Sequence, residues 1–146
     1  MANDLFTSLQ TPVPVFSEQQ AIAMLRDRYG IEAALAPLAS ERDQNFLVTA
    51  SDGSKYVLKF ANASEPAAIT DFQNQGLRHI ARAAPDLPVP RVIPTIEDEL
   101  MFEVASDAGD AHRVRLLSWL EGLPLQHAQG VNSATRQIGG CLARLG

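Results

Sequence analysis

The spacing of hydrophobic residues along the chain predicts three helices. The first begins after Ser17, which forms a capping box with Gln20, and ends before Gly30, a residue type that commonly closes a helix. The second covers residues 64–83, and the third begins near residue 132 and continues to the end of the chain. Apolar residues recur in each at helical spacing: Ala21, Ile22, Leu25 and Tyr29; Ile69, Phe72, Gly76/Leu77 and Ile80; Ile138, Leu142 and Leu145.

Short apolar runs between turn residues predict five strands, at residues 31–38, 45–50, 55–60, 99–106 and 111–120. Hairpin-length connections join antiparallel neighbours, so the strands are expected in one antiparallel sheet. The predicted fold is α+β: a five-stranded antiparallel sheet with a packed helix, an N-terminal helix and a C-terminal linker helix. Residues 1–16 would form a leader, 17–120 the main lobe, and 121–146 a linker with the start of a second lobe.

The turn between the second and third strands bears on one unusual lysine. A two-residue turn at Asp52-Gly53 places Val48, Val57 and Lys59 on one sheet face, where the helix at 64–83 is expected to pack. An unpaired ammonium on a buried face is costly, so Lys59 should meet an anion or a partner on that helix. The alternative is a lysine that extends to solvent from the end of its strand.

Composition and charge narrow the classes of function. The 146 residues suffice for one domain or one lobe, and the net charge of −5 argues against nucleic-acid binding. The single cysteine, Cys141, and three widely separated histidines match no metal-ligand spacing. No apolar run suggests a membrane span and the N-terminus lacks signal-peptide features, so we expect no membrane partner and a cytoplasmic location.

Three segments, taken in order, carry a resemblance to a known family. They are Val57-Leu58-Lys59-Phe60 after the hairpin, Leu-Pro-Val-Pro-Arg-Val at 87–92, and Arg-Leu-Leu-Ser-Trp-Leu-Glu-Gly-Leu-Pro-Leu at 115–125. Together they resemble the aminoglycoside phosphotransferase / choline kinase family, and within it the hydroxylysine-kinase-like branch, which is sometimes fused to an aminotransferase domain. The resemblance covers roughly residues 20–146. It implies the N-terminal lobe of a protein-kinase-like fold, with the C-terminal lobe missing.

The resemblance also implies how this lobe would bind ATP. Lys59 matches the lysine that binds the α- and β-phosphates, and Gln73 stands where the family usually has a glutamate that pairs with it. The loop at residues 40–44 would lie over the phosphates, although it lacks the glycines of a protein-kinase loop. The adenine would be covered by Val48 and Val57, backed by Leu117, and bonded by main-chain groups of the hinge, which is Ser118, Trp119 and Leu120.

The catalytic loop of that family has no counterpart here. His79, His112 and His127 are each followed two positions later by a residue that is not acidic, so no His-x-Asp run exists. We expect no catalytic residue and no metal ligand in these residues. The parent enzyme would use ATP with magnesium to phosphorylate a hydroxyl of a small, amine-bearing metabolite. The alternative is a non-catalytic α+β binding or interaction domain.

An apolar surface is also expected where the missing lobe would lie. It would include Leu117, Leu120, Leu142 and Leu145. Exposed apolar surface of this kind favours contact with another protein surface, so we expect the chain by itself to self-associate.

The absence of a catalytic loop makes a direct prediction. The purified 146-residue chain should show no ATP turnover with any amino alcohol, because it lacks a base for the acceptor hydroxyl and a set of magnesium ligands. A coupled assay of ADP release measures this. ADP release that rises in proportion to the amount of added chain would contradict the prediction.

Overall fold

The computed structural model describes residues 11–122, 127 and 131–145, with side chains of the last range from residue 134 onward. Residues 1–10 of the leader and residues 123–126, 128–130 and 146 of the predicted linker and second lobe lie outside this part. The described helices are α1 at Glu18–Met24, continued by a π-helical stretch at Leu25–Tyr29, α2 at Ala67–Ala83, and α3 at Val131–Leu145. The described strands are β1 Ala33–Leu38, β2 Gln44–Ala50, β3 Lys55–Phe60, β4 Val92–Ile93, β5 Phe102–Ala105 and β6 Ala111–Ser118.

The six strands form a single antiparallel sheet, which confirms the predicted α+β fold. The strand order is β1-β2-β3-β6-β4, and β5 also pairs with β6. Strand β6 is therefore central, with β3 on one side and β4 and β5 along the other. The two-residue strand β4 was not among the predicted strands, because it directly follows the proline-rich connector at 85–90 and is too short to show a periodic pattern.

The β2–β3 turn contains one residue more than expected. Ala50 N–H donates to Ser54 O at 2.8 Å, which closes a three-residue loop, and Gly53 takes a left-handed conformation with φ of +86°. Such loops commonly end in a left-handed glycine. The register therefore pairs Leu47 with Val57 and Val48 with Tyr56. The expected register was wrong by one residue, and Val48 lies on the face opposite to Val57 and Lys59.

One face of the sheet packs against α1 and forms the hydrophobic core. Ser17 caps this helix through the predicted capping box, with Gln20 N–H donating to Ser17 Oγ at 3.1 Å. The rings of Phe16 and Phe60 stack with their centroids 4.5 Å apart, joining the segment before α1 to β3. The buried residues of this core are Phe16, Ala21, Leu25, Tyr29, Phe46, Val48, Leu58, Phe60, Phe102, Val114 and Leu116.

The other face of the sheet lies against α2, on the side where Lys59 was expected to meet a helix. The contact is polar, because α2 buries Thr70 and Asn74 rather than its apolar stripe. Ile69 is exposed, and Phe72 keeps 78% of its surface accessible, so both were wrongly expected to face the sheet. The cause is tertiary: the strand opposite α2 presents the charged Arg115, which contacts Asn74.

The apolar surface expected near the end of the chain was assigned to four leucines. Leu120, Leu142 and Leu145 are exposed, whereas Leu117 is half-buried in the sheet. In the described part of the chain, no helix is both long enough and apolar enough to cross a membrane.

The strand register predicts that replacing Leu58 and replacing Leu47 lower the free energy of unfolding by different amounts. A one-residue slip would place both leucines on the same face. Leu58→Ala should lower the free energy of unfolding by about 2–5 kcal/mol, because Leu58 is fully buried in the core. Leu47→Ala is the matched control and should cost clearly less, since Leu47 is half-buried on the opposite face. Urea unfolding followed by circular dichroism gives both values. Equal losses would contradict this register.

Candidate functional site

The sheet face turned away from α1 carries Val57, Lys59 and Leu117, three of the residues that the sequence singled out. We call it the open face and define it by Leu47, Val57, Lys59, Arg115 and Leu117, which the strand register places side by side. Arg115 is buried, and the other four residues are half-buried. The open face therefore combines a row of apolar side chains across β2, β3 and β6 with two neighbouring cations.

Lys59 meets a carboxylate from the loop before β2. Its Nζ lies 3.5 Å from Asp43 Oδ2, and 26% of the lysine side chain remains accessible. Asp43 is held from its other oxygen, since Asn62 N–H donates to Asp43 Oδ1 at 3.1 Å. The expectation that Lys59 needs an anion is thus confirmed. The anion comes from the 40–44 loop, which the family resemblance places over the phosphates.

Asn62 joins three segments around the Lys59–Asp43 pair and was not among the predicted site residues. Its Nδ2 donates to Arg42 O at 3.0 Å and to Pro12 O at 3.1 Å. Its Oδ1 accepts bonds from Ser64 N–H and Ser64 Oγ, at 3.0 and 2.8 Å. The buried amide therefore links the leader, the Asp43 loop and the connector to α2. The available signal was an asparagine followed two positions later by serine at a strand end, a pattern typical of side-chain turns.

Gln73 does not contact Lys59 and instead accepts a hydrogen bond from Arg115. Arg115 Nη2 lies 2.5 Å from Gln73 Oε1, and Arg115 Nη1 donates to Asn74 Oδ1 at 2.7 Å. Of the two partners expected for Lys59, Gln73 or an anion, the structure shows the anion, Asp43. An arginine flanked by Val114 and Leu116 in an apolar strand was the sequence signal for this site.

Arg115 is the most buried cation of the open face. It retains 9% of its surface, and burial lowers the pKa of its guanidinium, an effect that the charges of Glu65 and Asp43 oppose. Arg115 stands directly opposite Lys59 in the β3–β6 pairing, so the two side chains share the open face.

The predicted hinge is only partly free to bond a ligand. Ser118 N–H donates to Arg91 O at 2.8 Å, and Ser118 Oγ accepts from Arg91 N–H at 2.8 Å. Trp119 N–H donates to Lys55 O at 3.2 Å. Two of the three hinge amides are therefore engaged within the protein, and Leu120, which is exposed at the end of β6, supplies the third.

The apolar residues expected over the adenine divide between the two faces. Val57 and Leu117 are directly paired on the open face, in agreement with their expected proximity. Val48 is fully buried in the core on the other face, so it was misplaced by the register error. Leu47 occupies the position on the open face that Val48 was expected to fill.

The polar residues described here do not form a metal site. Within residues 11–122, 127 and 131–145, no three His, Cys, Asp or Glu side chains come together as metal ligands would. His112 has a structural environment, since its Nδ1 lies 2.9 Å from Ala61 O and its ring meets Phe16 edge-on.

Solved structures of two kinases share this fold. An amicoumacin kinase in complex with AMP-PNP, Ca2+ and Ami aligns with a TM-score of 0.62 at 15% identity, over 84% of this chain and 34% of that chain. A microcompartment-associated aminopropanol kinase aligns with a TM-score of 0.58 at 17% identity, over 74% of this chain and 33% of that chain.

Curated relatives point to the same group of enzymes. The chain is 34% identical over 115 residues to a hydroxylysine kinase of Danio rerio, which covers 75% of the chain and 32% of the relative. It is 24% identical over 152 aligned positions to a hydroxylysine kinase of Xenopus laevis, covering 98% of the chain and 41% of the relative. The chain thus spans about a third to two-fifths of these relatives. Residues 34–146 match the sequence profile of the phosphotransferase enzyme family, and the chain belongs to that family.

Proposed function

We propose that this chain is the ATP-binding lobe of a kinase that transfers the γ-phosphoryl group of ATP to a hydroxyl of a small, amine-bearing metabolite. The observation that carries the proposal is the position of Lys59 on the open face, beside paired apolar residues, in a chain of the phosphotransferase family. The hydroxylysine kinases among its relatives and the aminopropanol kinase among its structural neighbours support an amine-bearing acceptor. A cytoplasmic location is part of this proposal.

The apolar part of the open face suits a purine ring. Leu47, Val57 and Leu117 lie in one row across three strands, and each is half-buried, so a flat ring can cover their remaining surface. Burial of such surface contributes roughly 25 cal/mol per Å². At the edge of this row, the amides of Ser118 and Trp119 already donate within the protein, so Leu120 N–H is the candidate donor to the adenine.

The charged part of the open face suits the phosphates of the nucleotide. Lys59 already contacts an anionic oxygen of Asp43, and this contact supports the binding of a phosphate oxygen at its ammonium. Both side chains remain partly accessible, so a phosphate can approach from solvent. Phosphate oxygens would compete with Asp43 for Lys59, and Asn62 N–H would keep the displaced carboxylate within the loop.

The chemical step requires groups beyond this lobe. The described residues supply neither a base for the acceptor hydroxyl nor a set of metal ligands. A magnesium ion would therefore be bound by the nucleotide and by the remainder of the whole protein. The part of this lobe in the reaction is to bind and orient ATP, which makes the transfer effectively unimolecular.

Isolated half-sites bind weakly, and this leads to a prediction for ATP. One charge-assisted contact contributes about 1–3 kcal/mol, while association costs at least about 4 kcal/mol, so the dissociation constant of this chain should be millimolar or weaker. Lys59→Met should weaken binding further, by about fivefold or more, because the phosphate contact is lost. Amide chemical shifts in an ATP titration give both constants.

Lys55→Met is the matched control for that change. Lys55 lies on the same strand and face but pairs with the exposed Glu121 at 3.3 Å, so its removal should change ATP affinity less than about twofold. Micromolar binding by the unmodified chain, or equal losses in the two variants, would contradict the proposed site.

The competition between Asp43 and phosphate oxygens for Lys59 leads to a second prediction about ATP affinity. Asp43→Asn keeps an acceptor for Asn62 N–H but removes the charge that holds Lys59, so ATP affinity should rise by about twofold to fivefold. Glu41→Gln removes the same charge from an exposed position of the same loop and should have a smaller effect. Weaker binding by Asp43→Asn would indicate that Asp43 supports the nucleotide rather than competing with it.

A further inference from the structure

Arg115 is a buried cation held by neutral groups. Its two hydrogen-bond acceptors are the amide oxygens of Gln73 and Asn74, neither of which can neutralise a charge. Among the described residues, no carboxylate lies within ion-pair distance of its guanidinium. Asp43 and Glu65 act on it from further away, and each already has a partner: Lys59 for Asp43 and the Thr70 hydroxyl for Glu65.

The position of Arg115 beside Lys59 adds to the excess of positive charge. Lys59 and Arg115 are directly paired across β3 and β6, and like charges in that arrangement repel. The Lys59 ammonium turns to the Asp43 loop, while the Arg115 guanidinium turns to α2. Of the two cations, only Lys59 directly contacts a carboxylate, so the pair carries more positive than negative charge and an added anion is favoured.

A buried donor next to Arg115 supports the same conclusion. Asn74 is fully buried, and its Oδ1 accepts from Arg115, whereas its Nδ2 has no partner among the described residues. Buried polar atoms without a partner are uncommon in folded proteins and call for an explanation. The region between the sheet and α2 thus combines excess positive charge with an unused hydrogen-bond donor.

We propose that Arg115 is a positioning residue for Lys59. Arg115 is fixed to α2 through Gln73 and Asn74, and its positive charge directs the lysine ammonium away from the helix. Together, the two cations attract a polyphosphate. Arg115 and the neutral amides of Gln73 and Asn74 then join the sheet to α2. Lys59 is therefore not paired with a carboxylate on that helix. This inference rests on the proposed function, because it assumes that Lys59 binds the phosphates of a nucleotide.

Three substitutions separate the effect of the Arg115 charge from that of its hydrogen-bond geometry. Arg115→Lys keeps the positive charge but loses the fork that bonds two amides at once. Arg115→Gln removes the charge and keeps some capacity to bond the helix. Asn74→Asp leaves Arg115 in place and neutralises it with a carboxylate of the same shape. A merely structural role predicts no loss of anion binding for Asn74→Asp, whereas a charge role predicts a clear one.

The test measures two properties of the 146-residue chain. Binding of inorganic tripolyphosphate is followed by amide chemical shifts at low and at physiological salt, and the tightness of α2 is followed by hydrogen exchange. We expect Arg115→Gln and Asn74→Asp to weaken tripolyphosphate binding by about fivefold or more at low salt. Arg115→Lys should stay within about twofold while the α2 amides exchange faster, and Asn74→Asp should exchange no faster than the unmodified chain.

Arg113→Gln is the matched control for charge. Arg113 lies two residues away on β6 and faces the same side, but it contacts the Glu103 carboxylate at 3.8 Å, so its loss should weaken binding less than the loss of Arg115. Unchanged tripolyphosphate affinity in Asn74→Asp, or equal losses in Arg115→Gln and Arg113→Gln, would overturn the inference. If Lys59→Met also left the affinity unchanged, the proposed function would fail with it; if Lys59→Met alone weakened binding, only the role of Arg115 would be refuted.

Discussion

The register of the β2–β3 hairpin decides which side chains meet on each face of the sheet. Gly53 ends the turn in a left-handed conformation, and the resulting three-residue loop pairs Leu47 with Val57. Side chains alternate along a strand, so this pairing sends Val48 into the core and leaves Lys59 on the open face. The core beneath α1 and the candidate nucleotide site both depend on that alternation.

The two cations of the open face, Lys59 and Arg115, differ in how much of each is exposed to solvent. Lys59 is partly accessible and pairs with Asp43 on a loop, while Arg115 is buried and bonded to side chains of α2. Asn62 fixes the loop that carries Asp43 through its backbone and side-chain bonds. The accessible cation is therefore paired with a partly accessible carboxylate, and the buried cation is bonded to amide oxygens of α2.

The polar contact between α2 and the sheet explains why this helix exposes apolar residues. Arg115 needs acceptors because a buried guanidinium without hydrogen bonds is costly, and Asn74 and Gln73 supply them. The turn of α2 that carries these residues therefore faces the sheet, and Phe72 points outward. Hydrophobic burial holds the other side of the sheet, where Leu58 and Leu25, which begins the π-helical continuation of α1, are both fully buried.

The sequence by itself determined the fold class, the capping of α1 and the identity of Lys59 as a charged residue that needed an anion. These features rest on local signals: the Ser17-Gln20 box, apolar periodicity, and a lysine between two apolar residues. The tertiary structure decided the hairpin register, the inner side of α2, and the partners of Lys59 and Gln73. A turn one residue longer moves each β2 side chain to the opposite face relative to β3. The buried charge of Arg115 overrode the apolar stripe of α2 because Arg115 and Gln73, 42 positions apart in the sequence, meet only in the folded chain.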